Sequence, residues 1–297
     1  MIKVAIIGAS SFLSSYIIET LEEEHYSLTL FSRSRINMDH DFFKFEYPDT
    51  IPNFQFFLKF DVIIFTAAAG VQNSNIYSID DIYALNSFLP ITLSNFLAEN
   101  NFKGKFITFG SYAEIGLNEE IKYYNEKEVV LSNLKVHNHY SLSKRILSRF
   151  VNDSLNCISH YHIILPNIYG KNENKNRLIP YLIHNLSNNN ILKLTSGNQI
   201  RQFLHVKDVV SFIHKICNSN IDKGLYNLAT NNYNFVKDIS KIIFDYFGKN
   251  ITHKYEQIER SDETMKVLLL DNTKSKNQGW IPKINLSDGI EDYFNEK

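Results

Sequence analysis

Along this chain a tyrosine precedes a lysine by four residues in YYNEK (Tyr123 and Lys127), in YSLSK (Tyr140 and Lys144) and in YNFVK (Tyr233 and Lys237). A tyrosine beside a lysine is a candidate proton-transfer pair. A free phenol has a pKa near ~10 and is a sluggish proton partner at neutral pH. A neighbouring ammonium favours the phenolate and brings that value towards the working pH. With 17 tyrosines in a lysine-rich chain, about one such spacing is expected by accident, so the surroundings of each copy must decide.

The elements that would position these residues can be read from periodicity. Residues 3–8 (KVAIIG) form a continuous apolar run, as in a strand covered on both faces. Residues 15–24 place Ile17, Ile18 and Leu21 at helical spacing. Residues 27–32, 61–70, 104–111 and 161–167 read as further strands, and 82–100 and 139–155 as helices, with a kink at Pro90. This alternation predicts an α/β fold built on a doubly wound, Rossmann-type parallel sheet, with ligands at the carboxyl ends of its strands. After Tyr169 the pattern shortens, beginning with the polar loop GKNENKNR (170–177). The expected organisation is a dinucleotide-binding domain over 1–165 and a smaller α/β substrate-binding region over 166–297, with segments returning to the first.

In such a sheet Tyr140 heads the helix at 139–155, and residues i and i+4 share a helix face. That face can line the sheet mouth, where the strand ending in FGS delivers Ser111. Tyr123 lies instead in the charged stretch NEEIKYYNEKE, and Tyr233 in an Asn-rich turn beyond the sheet pattern. The middle copy is therefore the candidate pair.

The turn after the first strand reads GASSFLSS (8–15). A dinucleotide turn carries three glycines: for the tight turn, for close approach of the pyrophosphate, and for helix–strand packing. Here Gly8 is kept while Ser11 and Ser14 hold the other two places. Serine is small, and its hydroxyl can face a phosphate; the helix N-terminus behind still offers free N–H groups. A turn of small residues without a ligand is the competing reading. The second strand ends in FSRSR, with Ser32, Arg33 and Arg35 and no acid. An acid there serves the ribose 2′-hydroxyl of NAD, whereas an arginine fork suits the 2′-phosphate of NADP.

Taken in order, these pieces resemble the extended short-chain dehydrogenase/reductases, the NAD-dependent epimerase/dehydratase family. GASSFLS stands at the glycine turn, TAAAG (66–70) at the cofactor strand, Asn86 in the following helix, FGSYAEIG (109–116) at the serine segment and YSLSK (140–144) at the catalytic pair. LPNIYG (165–170), LIP (178–180), RQFLHVKDVV (201–210), GLYNLAT (224–230), ER (259–260) and GWIPK (279–283) follow, although Ile164 stands where the family usually has arginine. Within the group the chain looks most like nucleotide-sugar 4-ketoreductases. The resemblance implies catalytic Ser111, Tyr140 and Lys144. It also implies a cofactor running over Gly8, Ser10, Ser11, Phe12 and Leu13, past Ser32, Arg33 and Ser34, along Thr66, Ala67 and Ala68, to Lys144 and Pro166. Asn167, Arg201 and Arg260 match positions near the nucleotide diphosphate. The implied activity is NADPH-dependent reduction of the 4-keto group of a nucleotide-linked 6-deoxy or 3,6-dideoxy sugar. A 4-epimerase holding NAD and a non-catalytic dinucleotide sensor are the alternatives. The family also implies a homodimer paired through 82–100 and 139–155. His205, Asp208 and Trp280 read as structural: a histidine in an apolar stretch, a cap or ion-pair partner, and a packing residue.

Bulk properties exclude other classes. The net charge of −1 gives no electrostatic case for nucleic acid or an anionic membrane, and no apolar run reaches spanning length. Cys157 and Cys217 make no disulfide framework, and no Cys/His cluster has metal spacing. The apolar start ends at a glycine turn, not a cleavage site, so a cytoplasmic location is expected.

Overall fold

The computed structural model describes residues 1–24, 26–36, 39–71, 77–154, 157–249, 255–259 and 261–294. Seven parallel strands form the main sheet: β1 (Lys3–Ile7), β2 (Ser27–Ser32), β3 (Asp41–Lys44), β4 (Val62–Phe65), β5 (Lys105–Ser111), β6 (Ser159–Leu165) and β7 (Gly224–Asn227). Their order across the sheet is β7-β6-β5-β4-β1-β2-β3. The order reverses between β1 and β4, so the carboxyl ends of those two strands frame the crevice in which such sheets take ligands.

Two apolar layers cover the sheet. On one face lie α1 (Phe12–Glu23) and a later helix, Val206–Asn218; Ile17, Ile18 and Leu21 meet Val209, Phe212, Ile213 and Ile216 there. Each such side chain contributes about 1.5–3 kcal/mol by leaving water. The other face packs Phe31, Phe57, Phe60, Phe106, Leu93 and Leu97. Lys105, at the start of β5, donates Nζ to the carbonyls of Ile216 (2.6 Å) and Ser219 (3.0 Å), satisfying the C-terminal end of the helix Val206–Asn218. A third cluster, around Tyr169, Leu182, Phe203, Ile239 and Phe244, belongs to the second half of the chain.

The helix read over 82–100 is composite. α2 (Ile79–Tyr83) runs through a π-turn at Ala84–Phe88 into α3 (Leu89–Glu99). The irregularity expected at Pro90 thus lies just before it. Pro90 itself occupies the first turn of α3, where its missing N–H is tolerated. Three further helices, α4 (Glu126–Val130), α5 (His139–Ser154) and α6 (Leu178–Ser187), complete the surroundings of the site. No helix among the described residues is long and apolar enough to cross a membrane.

Candidate active site

Gly8 has φ +93°, and a Cβ there would collide with the backbone of Ala67. The turn therefore lies against the end of β4, and only glycine fits. Ser11 caps α1, its Oγ accepting from Ser14 N at 3.2 Å. Ser14, fully buried, has its hydroxyl committed within the fold. It accepts from Ser11 Oγ (3.0 Å), donates to Gly8 O (3.1 Å) and lies 2.7 Å from Thr66 Oγ1. The possibility that this serine faces a phosphate is thereby removed: its hydroxyl staples the turn to β4 in place of a glycine contact. The first-turn N–H groups of Phe12 and Leu13 have no intrahelical partners. With the close approach at Gly8, they leave the turn fit to receive a pyrophosphate.

At the end of β2, Ser32 donates to Ser34 O at 2.6 Å, and Arg33, Ser34 and Arg35 are exposed. Thr66, Ala67 and Ala68 follow β4 half-exposed, and Pro166 is buried after β6.

The proton-transfer candidates meet at the carboxyl end of β5. Tyr140, in the first turn of α5, faces the Ser111 side chain. Lys144, one turn on and 5% exposed, donates to Phe109 O at 2.9 Å and stands 5.9 Å from the Tyr140 ring centre. The predicted lowering of the Tyr140 pKa by Lys144 is not found. Burial pushes this phenol up to about 12, outweighing the lowering by the Ser111 hydroxyl, and the cation acting against that rise is Arg177. Burial also brings Lys144 down to about 8, opposed by the buried carboxyl of Glu114.

α5 is gripped by the π-turn. Asn86, 1% exposed, pairs its amide with the backbone N–H and carbonyl of Ala69, both at 2.9 Å, and reaches Ser143 Oγ at 3.0 Å. Ser87 donates to Ser143 O at 2.6 Å. One π-turn therefore ties the loop after β4 to the residue before Lys144.

A cavity of about 580 Å³ opens beside these groups. Its wall includes Tyr112, next in the chain to Ser111, and Asn167, Arg177, Arg201, Gln199 and Lys237. Tyr112 donates to Asn167 Oδ1 at 2.8 Å, and Arg177 pairs with Glu173 at 2.9 Å. Arg201 is only 5% exposed and donates to the carbonyls of Ile200 (2.8 Å), Lys266 (3.0 Å) and Met265. Arg260 lies outside the described residues. Tyr123 and Tyr233, both exposed, lie together away from this point, Tyr123 donating to Asn231 O at 3.3 Å.

His205 caps the helix Val206–Asn218, accepting from Lys207 N at 3.3 Å. Asp208 accepts from the N–H groups of Lys283 (2.9 Å) and Ile284 (3.0 Å), and Trp280 donates to Ser211 Oγ at 2.9 Å. All three have structural contacts, as read from their context. Two residues of the site were missed. Arg177 is the last residue of what reads as a polar loop. Glu114 sits in FGSYAEIG, where nothing local signals burial. No group of His, Cys, Asp and Glu suited to a metal occurs among the described residues.

The fold is that of the Rossmann-type short-chain dehydrogenase/reductases, and the candidate site lies at the carboxyl ends of its strands. The family model described as NAD dependent epimerase/dehydratase family matches residues 4–229, and the chain belongs to that family. CDP-abequose synthase of Salmonella muenchen is 23% identical over 99% of this chain and 98% of its own length. ADP-L-glycero-D-manno-heptose-6-epimerase of Fusobacterium nucleatum is 27% identical over 50% of this chain and 48% of its own. Among solved structures, UDP-glucose 4-epimerase of Thermotoga maritima with UDP-glucose superposes with a TM-score of 0.83 at 17% identity, covering 99% of this chain and 98% of that one. dTDP-glucose 4,6-dehydratase of Bacillus anthracis with NAD gives 0.81 at 18% identity, covering 99% and 96%. The chain is thus similar throughout to nucleotide-sugar-modifying enzymes.

Proposed function

We propose that this protein is an NADPH-dependent reductase of the 4-keto group of a nucleotide-linked 6-deoxy or 3,6-dideoxy sugar, acting in surface-polysaccharide sugar biosynthesis in the cytoplasm. The observation that carries the reading is the placing of the Ser111 hydroxyl against Tyr140, beside buried Lys144 and next to the cavity containing Asn167 and Arg177. When bound, NADPH supplies hydride to the ketone carbon. Ser111 then hydrogen-bonds the ketone oxygen as charge develops on it. Tyr140 gives that oxygen its proton, and a nearby cation makes the phenol the stronger acid. Lys144 holds the nicotinamide ribose.

Asn167 and Arg201, with Arg260, serve the nucleotide diphosphate, and residues 166–297 form the substrate region. Arg33 and Arg35, exposed directly after β2, favour a 2′-phosphate and hence NADP. Tyr112 and Ala113 after Ser111 leave no acid where dehydratases of the family carry one.

A 4-epimerase with tightly held NAD is the second reading, supported by NAD in structural neighbours. A panel of 4-keto sugars on CDP, GDP, dTDP and UDP, followed by NADPH loss and product stereochemistry, separates the two. Stoichiometric NADPH oxidation with one nucleotide series is expected. Interconversion of 4-hydroxyl epimers without net NADPH loss would replace the reductase by the epimerase.

A further inference from the structure

Glu114 is 0% exposed and lies at the foot of the candidate active site. Its Oε1 accepts from the backbone N–H of Ser111 at 2.6 Å, while Oε2 has no hydrogen-bond partner. Burying a carboxyl costs several kcal/mol unless its charge is matched, so its surroundings should explain it. From α5 it faces Tyr140, Lys144, Arg145 and Ser148. From β6 it faces His162 across Gly110, where an added Cβ would stand 2.6 Å from His162 Nε2 and 2.7 Å from Glu114 Oε1. The glycine before Ser111 therefore makes room for the carboxyl.

The cations do not spend their hydrogen bonds on it. Arg145 donates to the carbonyls of Glu114, Ile115 and Leu134, and Lys144 donates to Phe109 O. Ser148 is engaged with Lys144 O (3.2 Å) and His162 Nε2 (2.8 Å). The carboxylate thus acts on Lys144 as a charge, and on Ser111 as a fixed acceptor.

We propose that Glu114 is a positioning residue for the reaction: its buried carboxyl fixes the backbone of Ser111 and supplies the counter-charge that keeps Lys144 protonated. This rests on the reading of Ser111, Tyr140 and Lys144 given above. Burial draws Lys144 down, and even with Glu114 opposing that fall it stands at about 8, near the range where an enzyme working at neutral pH begins to lose the cation. The same burial lifts Glu114 to about 7, and Lys144 and Arg145 hold it from rising further.

The test is the pH profile of kcat/KM for ketone reduction in Glu114→Gln and Glu114→Asp, with Tyr140→Phe in the same series. Glutamine keeps an acceptor for Ser111 but removes the charge, so the alkaline limb should move to lower pH by about 1–3 units, the shift one adjacent charge produces. Aspartate keeps the charge but shortens the reach to Ser111. Its limb should stay in place while kcat falls about tenfold or more. A merely structural glutamate would leave both limbs unmoved. Wild-type kcat and limb in Glu114→Gln overturn the proposal. If that variant does not fold, wild-type kcat in Glu114→Asp overturns it equally. Full activity in Tyr140→Phe would instead remove the reading on which the proposal rests.

A measurement without cofactor adds to this. Because folding raises the Glu114 pKa, its contribution to stability is fully present below about pH 4.5 and is lost as pH rises through about 7. The Tm of wild type minus that of Glu114→Gln should therefore fall over this window. A constant difference means that burial does not raise the Glu114 pKa above its unfolded value.

Discussion

Lys144 directs its ammonium group to the carbonyl of Phe109 at 2.9 Å, while the cation that favours the Tyr140 phenolate is Arg177. On the proposed mechanism, holding the ribose and favouring the phenolate fall to separate residues. Lys144 is anchored to the strand below, and Arg177 reaches in from the segment before α6.

Arg177→Ala should therefore raise the Tyr140 pKa. In the oxidation direction, which needs the phenolate, the pH limb should shift upward. Reduction near neutrality should slow about tenfold, and KM for the nucleotide sugar should rise because Arg177 also lines the cavity. Rate profiles in both directions measure this; an unmoved oxidative limb would return the phenolate to another cation.

Arg33 should set the cofactor. Arg33→Ala is expected to raise KM for NADPH about tenfold or more while changing KM for NADH little, since a charge-assisted hydrogen bond to phosphate contributes roughly 1.5–3 kcal/mol. Equal effects on the two cofactors would move the 2′-phosphate elsewhere.

Ser14 should matter for stability. Its hydroxyl joins Ser11, Gly8 and Thr66 in one buried network. Ser14→Ala leaves these partners short of a hydrogen bond and should cost about 1–3 kcal/mol. Chemical denaturation reads this directly, and an unchanged midpoint would show that the staple contributes nothing.

Pairing of two copies through residues 82–100 and 139–155 would cover Phe88 and Leu142, which are 56% and 37% exposed. A dimer mass in solution is expected, and Phe88→Glu should shift it towards monomer. A monomeric wild type at working concentrations would contradict the pairing.

The large parallel sheet was legible because its strands are buried on both faces and read as unbroken apolar runs, as in KVAIIG. β3 was not: it is an edge strand with little burial, so no apolar run or alternation marks it. The π-turn was hidden because Asn86 owes its place to Ala69 and Ser143, 17 and 57 residues away. Glu114 was hidden for the same reason. The room for its carboxyl is made by Gly110, and its compensating charges come from α5, 30 or more residues later. Tyr140 could be picked out from pairs of the same spacing because strand and helix order alone placed it at the end of β5. Its proton affinity could not, since burial decides it.

The central claim is that Tyr140 protonates the ketone oxygen. Its most direct test is single-turnover NADPH oxidation with the accepted 4-keto sugar in Tyr140→Phe, alongside Tyr123→Phe, Tyr233→Phe and a cofactor titration of each. Only a hydroxyl is removed, so NADPH binding should stay near that of wild type. The rate in Tyr140→Phe should fall by ~10²–10⁴-fold, as loss of general acid catalysis typically does, and the other two should stay near wild type. A fast Tyr140→Phe with a dead Tyr123→Phe would contradict the account.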